Sequence, residues 1–252
     1  GNLYFSGLGV KKDYLKAKDL YEVAAQHNNA TAFFQLGFIY ENGYEVKQDY
    51  LKAKNYYELA AKNNDTFAMV RLGNFYENGL GNKQDYLKAK ELYELASKKN
   101  FPLAFFHLGN LYYYGHGVEK NFIHSIEQYN KAADLNDINS CLMLGNIYYN
   151  GVDTPKNFDE AIKYFKNAAM KGDSDALLNL GFMYMNGDGV VKDYKKAIYY
   201  FELSAKQNNS VALNNLGICY IKGLGVKKDY DKAREFFELS AKNKNSNAFV
   251  FL

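Results

Sequence analysis

The stretch Leu36–Gly43, LGFIYENG, returns as LGNFYENG from Leu72, LGNLYYYG from Leu108, LGNIYYNG from Leu144, LGFMYMNG from Leu180 and LGICYIKG from Leu216. Each copy starts 36 residues after the one before, and the chain opens inside a further copy at Gly1–Gly7. Three columns follow, running Gly1 to Gly217, Tyr4 to Tyr220 and Gly7 to Gly223. Self-similarity at a period of about 20–50 residues marks units that bury a hydrophobic face only by stacking on their neighbours. The chain therefore reads as an all-α solenoid over residues 1–252, a single array of seven periods with no internal boundary. Because it begins and ends inside a period, it is expected to be part of a longer array.

Each period divides into two helical patterns. The first spans Ala30–Asn42 in the second period, with Ala32, Phe33, Leu36, Gly37, Ile39 and Tyr40 on one face. Gly43 can close it in the left-handed conformation. The second starts after Asp49, an N-cap residue whose column reads Asp13, Asp85, Asn121, Asn157, Asp193 and Asp229. Second helices are predicted near 14–27, 50–63, 86–99, 122–135, 158–171, 194–207 and 230–243. They end at Asn28, Asn64, Asn100, Asn136, Gly172 and Asn208, an Asn/Gly exchange that predicts left-handed backbone. Pro102 suits the first turn of a helix. A mid-helix glycine costs about 1 kcal/mol relative to Ala, so its recurrence predicts close packing. The partner column is Tyr21, Tyr57, Tyr93, Tyr129, Phe165, Phe201 and Phe237, with small residues at Ala17 through Ala233 letting the pair close.

Composition narrows the function classes. Hydrophobic content is 48% and net charge +3, enough for a core and too little charge to imply nucleic acid or a membrane surface. No apolar run approaches the ~18 residues of a membrane span. At about 100° per residue, positions 31, 34, 35, 38, 41 and 42 share the face opposite the core. That face varies: one row reads Gln35, Arg71, His107, Met143, Asn179, Asn215 and the next Phe38, Asn74, Asn110, Asn146, Phe182, Ile218. Amides offer both donor and acceptor to an extended backbone, and aromatic neighbours supply pockets. A peptide or partner loop is thus expected across Arg71, Asn74, His107, Asn110, Tyr113, Asn146, Tyr149 and Asn179. Asn42, Asn78, Asn150 and Asn186, next to the closing glycines, read as structural.

These residues resemble the Sel1-like repeat, a short helix ending LGxxYxxGxGV followed by a loop, Asp-Tyr-x-x-Ala and an Ala-rich helix. Gly79–Gly81 with Asp85 and Tyr86, and Gly223–Gly225–Val226 with Asp229 and Tyr230, match that pattern closely. Tetratricopeptide repeats are similar but have a 34-residue period. The resemblance implies a right-handed superhelix of antiparallel helix pairs, acting as a scaffold or adaptor that binds proteins on its concave face. Glu45 and Asp153 replace the second loop glycine, which predicts that those two loops bend differently.

Chemistry is sparse. Some Cys-rich relatives are described as β-lactamase-like, but no Ser here has Lys three residues later, as S-x-x-K requires. Cys141 and Cys219 replace core residues two repeats apart, at least ~16 Å at ~8–10 Å per helix layer, so no disulfide is expected. His107, His116 and His124 lie on a helix, a loop and a helix start without a ligand pattern, so no metal or other cofactor is expected. The chain reads as non-enzymatic. Lys16, Lys52, Lys88, Lys196 and Lys232 recur in the first turn of second helices, against the helix dipole. That Lys edge is the alternative surface, an electrostatic docking site for an acidic partner. Aromatics do not interleave with it, which disfavours nucleic acid. The sequons at Asn29, Asn64 and Asn208 fall at helix junctions and read as structural.

Overall fold

The computed structural model describes residues 1–251, which contain fourteen α-helices and no strand. The first helices of successive periods are α1 (Asn2–Ser6), α3 (Ala30–Asn42), α5 (Thr66–Asn78), α7 (Pro102–Tyr114), α9 (Ile138–Asn150), α11 (Ser174–Asn186) and α13 (Ser210–Lys222). The second helices are α2 (Tyr14–Ala25), α4 (Tyr50–Lys62), α6 (Tyr86–Ser97), α8 (Phe122–Asp134), α10 (Phe158–Ala169), α12 (Tyr194–Ala205) and α14 (Tyr230–Lys242), and a 3-10 turn follows at Ser246–Val250. Two compact units result, Gly1–Leu135 and the residues from Asn136 onward. In each, a first helix packs on the second helix of its own period, and that helix packs on the next first helix.

The boundaries follow from caps. Asp49 accepts from the amide of Lys52 at 2.9 Å, and equivalent bonds serve Asp13, Asp85, Asn121, Asn157, Asp193 and Asp229. Gly43 closes α3 at φ 68°, its amide donating to Ile39 O at 2.9 Å. The loop then has a fixed span, because the Asp49 amide donates to Tyr40 O at 2.9 Å, a bond that recurs at every complete loop. Second helices end on left-handed Asn28, Asn64, Asn100, Asn136, Gly172 and Asn208.

The loops at Glu45 and Asp153 do not bend differently. Their φ values of 53° and 51° match the left-handed glycines at 81, 117, 189 and 225. At Gly81 this conformation brings the loop against the Tyr50 backbone, where a Cβ would lie 2.7 Å from a carbonyl carbon. Glu45 offsets the left-handed penalty of about 1–2 kcal/mol by a different route. Its Oε2 accepts from the amides of Tyr14 and Leu15, at 3.1 and 3.2 Å, two otherwise orphaned donors of the α2 first turn.

The core sits between helix layers. Leu36, Ile39, Ala53, Tyr57, Ala60 and Phe75 are fully buried, and their counterparts one and two periods on are buried too. A Cβ on Gly37 would fall 2.7 Å from the Tyr57 ring, and one on Gly217 2.6 Å from Phe237. The glycine column therefore exists to admit the second-helix ring.

Candidate functional site

The buried rings organise the face above them. A buried phenol requires an acceptor, whereas a phenyl ring does not. Tyr57 donates to Glu41, Tyr93 to Glu77 Oε2 at 2.7 Å, Tyr21 to Asn2 Oδ1 at 2.7 Å and Tyr129 to Asn110 Oδ1 at 2.7 Å. Burial first, and the neighbouring carboxylates next, hold Tyr57 and Tyr93 far above the ordinary phenol pKa, so both remain donors. Where the ring is Phe165, Phe201 or Phe237, the residue two places before the helix-closing glycine is Tyr149, Met185 or Ile221 instead of a carboxylate. Position 41 belongs to the face read from the sequence, but Glu41 and Glu77 are not among the expected binding residues; the Tyr sixteen residues on is the signal that picks them out.

Arg71 and His107 occupy one column and face the carboxylate of the preceding period. Arg71 Nη1 lies 3.5 Å from Glu41 Oε1, with its guanidinium 5.7 Å from the Phe38 ring. His107 Nδ1 lies 3.7 Å from Glu77 Oε2, beyond hydrogen-bond length. Burial, reinforced by the Arg71 charge, pulls the His107 pKa down to about 4, so the imidazole is neutral at pH 7.

The remaining expected residues divide by unit. In the first, Asn110 is turned inward to Tyr129, Tyr113 packs edge-on against Tyr114 and Phe122, and Asn74 accepts through its backbone carbonyl from Asn78 Nδ2 at 2.9 Å. In the second, Asn179 Nδ2 donates to Asn146 Oδ1 at 3.4 Å and Tyr149 donates to Asp188 Oδ2 at 2.8 Å. Arg71, Asn74, His107, Asn110 and Tyr113 thus share one face of the first unit; Asn146, Tyr149 and Asn179 share one of the second. Asn42, Asn78 and Asn150 bond the carbonyl four residues back, a structural role. Asn186 instead donates to Asp188 Oδ2 at 3.2 Å.

Contrary to expectation, aromatics do interleave with the Lys edge, because a first-helix Tyr folds beneath each of its five lysines. The ammonium groups of Lys16, Lys52, Lys88, Lys196 and Lys232 lie 4.5, 5.1, 5.2, 5.2 and 5.4 Å from the ring centroids of Tyr4, Tyr40, Tyr76, Tyr184 and Tyr220. The cation against the helix dipole is thereby placed on the Tyr of the repeat motif, a contact of about 0.5–1 kcal/mol at exposed sites. At the same position His124 packs on Tyr112 at 4.8 Å.

Among the described residues no three potential ligands gather in metal-binding geometry, and no helix is long and apolar enough to cross a membrane. His107 and His116 both face Glu77, the latter at 3.9 Å, while His124 lies 3.8 Å from Glu127. Cys141 and Cys219 are buried thiols, and burial pushes Cys219 up to about 11. Of the sequon residues, Asn29 caps α3 and Asn64 and Asn208 are the left-handed residues after α4 and α12.

Comparison with known proteins follows the same periodicity. The Sel1 repeat model matches residues 1–29, 31–65, 66–101, 102–137, 138–173, 174–209 and 210–245. No match was found among curated proteins. A protective antigen of uropathogenic Escherichia coli with an SLR fold is 33% identical, TM-score 0.85, over 98% of this chain and 53% of its own. The chain thus spans about half the length of that antigen. A Sel1 repeat protein from Oxalobacter formigenes is 32% identical, TM-score 0.79, over 85% of this chain and 88% of its own. A chain of the APC/C hetero-tetramer Cut9–Hcn1 shares the fold at 19% identity and TM-score 0.61, over 99% of this chain and 46% of its own. With matched repeats from residue 1 to residue 245 in the register that the glycine and ring columns define, this chain belongs to the Sel1 repeat family.

Proposed function

We propose that this chain is a non-catalytic binding module that holds a peptide or loop of a protein partner on its concave, first-helix face. Sel1 and related helical repeats generally mediate protein–protein interaction. One observation carries the reading to this face. The row Gln35, Arg71, His107, Met143, Asn179, Asn215 changes in charge and shape, while its sequence neighbours Leu36 to Leu216 and Gly37 to Gly217 do not change at all. A constant scaffold beneath a varied surface is how stacked repeats present a binding face. Arg71, Asn74, His107, Asn110 and Tyr113 would serve it in the first unit, and Asn146, Tyr149 and Asn179 in the second.

Its test must avoid residues committed to the core. Asn110→Ala would orphan the Tyr129 hydroxyl, whereas Arg71, Asn74 and Asn179 accept from no buried phenol. The variant Arg71→Ala/Asn74→Ala/Asn179→Ala should keep wild-type helicity and melting, and lose most of the partner retained in a pull-down from the source organism. Binding by the face should also survive a rise from low to moderate ionic strength, which a Lys-edge complex would not. Undiminished retention by the triple variant would move the interaction to the Lys edge or the loops.

A further inference from the structure

The repeats allow one place on the face to be compared with its own counterpart. Fourteen residues after Tyr93 stands His107, whose ring covers the phenol with centroids 4.7 Å apart and planes at 10°. Fourteen residues after Phe165 stands Asn179, which carries no ring. Above Phe165 the structure holds a cavity of about 130 Å³ between α9, α10 and α11, lined by Tyr149, Phe165, Asn179, Phe182 and Asn186. An apolar cavity of about 150 Å³ takes a benzene molecule, so this space is the size of one ring.

Its walls are fixed before anything enters. Phe165 is 1% exposed and forms the floor. Phe182 is held edge-on to Phe201, with centroids at 5.4 Å, and Tyr149 is anchored by Asp188 at 2.8 Å and packed against Phe158 at 5.6 Å. Every lining residue is uncharged, and the adjacent Asp188 already accepts from both Tyr149 and Asn186. A preformed neutral hollow over an aromatic floor selects against a charged side chain and favours a planar apolar one. We propose that this cavity receives one aromatic side chain of the partner segment, seated between Tyr149 and Phe182 with Phe165 at its base, and with the amides of Asn179 and Asn186 meeting its backbone. The assignment rests on the first-helix face being the binding face.

The probe is N-acetyl-L-phenylalaninamide, with N-acetyl-L-alaninamide as control, titrated into the full chain while the side-chain amide resonances of Asn179 and Asn186 are followed. Saturable shifts are expected with Kd on the order of 1–10 mM for the aromatic probe, and at least about tenfold weaker binding of the control. Asn179→His, which copies the filled counterpart, and Asn179→Leu, a second filler, should each melt no lower than wild type and weaken the probe at least about tenfold. Equal response to both probes, absence of saturation, or unchanged affinity in two folded filler variants would overturn the proposal. Probe failure beside partner loss in the triple Ala variant would remove the pocket and leave the face. A probe blocked by the fillers, beside retention untouched in the triple variant, would do the reverse.

Discussion

The imidazole of His107 lies flat on the phenol of Tyr93, whose hydroxyl donates to the same carboxylate, Glu77, that faces His107 Nδ1. The stack keeps the imidazole out of water, and its side chain is 16% exposed. Protonation must therefore be suppressed in the fold although Glu77 is near, because 3.7 Å makes no hydrogen bond and Arg71 opposes a second cation.

Stability should depend on pH through this residue. The folded pKa of about 4 lies below the unfolded value of about 6.5, so between them the unfolded chain binds a proton that the folded chain refuses. The contribution is fully present above pH ~6.5 and is lost as pH falls toward 4, by about 3 kcal/mol in all. Urea unfolding at pH 7 and 4.5 should show a larger loss for wild type than for His107→Phe, which keeps the stack and removes the titration. Identical losses would refute the assignment.

The glycine column predicts overpacking. Ala is the better helix former by about 1 kcal/mol, but a Cβ at position 37 meets the Tyr57 ring at 2.7 Å. That ring cannot retreat, being packed on Phe75 at 5.4 Å and Phe34 at 5.6 Å with its hydroxyl held by Glu41. Overpacking of about 1–3 kcal/mol should win, so Gly37→Ala should lower the melting temperature. A rise would show that helix propensity governs this column.

The buried rings predict a rescue. Phe201→Tyr places a hydroxyl where the positions that supply the acceptors of Tyr93 and Tyr129 hold Met185 and Phe182, a loss of about 1–3 kcal/mol. Adding Met185→Glu recreates the relation of Tyr93 to Glu77. A double-mutant cycle in chemical unfolding should give favourable coupling of about 1 kcal/mol or more. Additive losses would mean that the hydroxyl finds water instead.

Thiol chemistry should report burial. With Cys219 pushed up to about 11 and both cysteines inside helix layers, a thiol-specific reagent at pH 7.5 should label native protein slowly. Denatured without reductant, the chain should yield both thiols. Rapid native labelling would contradict the packing of α9 and α13.

Much of this was legible because each helix carries its own punctuation. α3 runs Ala30–Asn42 as read from the pattern, and second helices stop one or two residues short of expectation because the last residues before the left-handed Asn form a turn rather than helix. Partnerships across the helix pair were not legible. Lys16 read only as a cation set against a helix dipole, since nothing local says that Tyr4, twelve residues earlier, returns beneath it. The amide row read as an open ladder, yet Asn110 is claimed by a hydroxyl nineteen residues on. Glu45 read as a disturbance to its loop, because the amides it meets belong to the preceding repeat.

Six of these polar contacts sort into two kinds by where they lie relative to the left-handed junctions at Asn28, Asn64, Asn100, Asn136 and Gly172. The bonds Tyr57 to Glu41, Tyr93 to Glu77 and Tyr129 to Asn110 each lie inside one segment between junctions. The face contacts Arg71 to Glu41, His107 to Glu77 and Asn179 to Asn146 each span a junction. A tandem gene that gains, loses or shuffles one such segment would carry these three ring hydroxyls together with their acceptors, and would deal the face groups into new neighbourhoods. Recombination at these junctions thus preserves those hydroxyl bonds while it renews the contacts of the face.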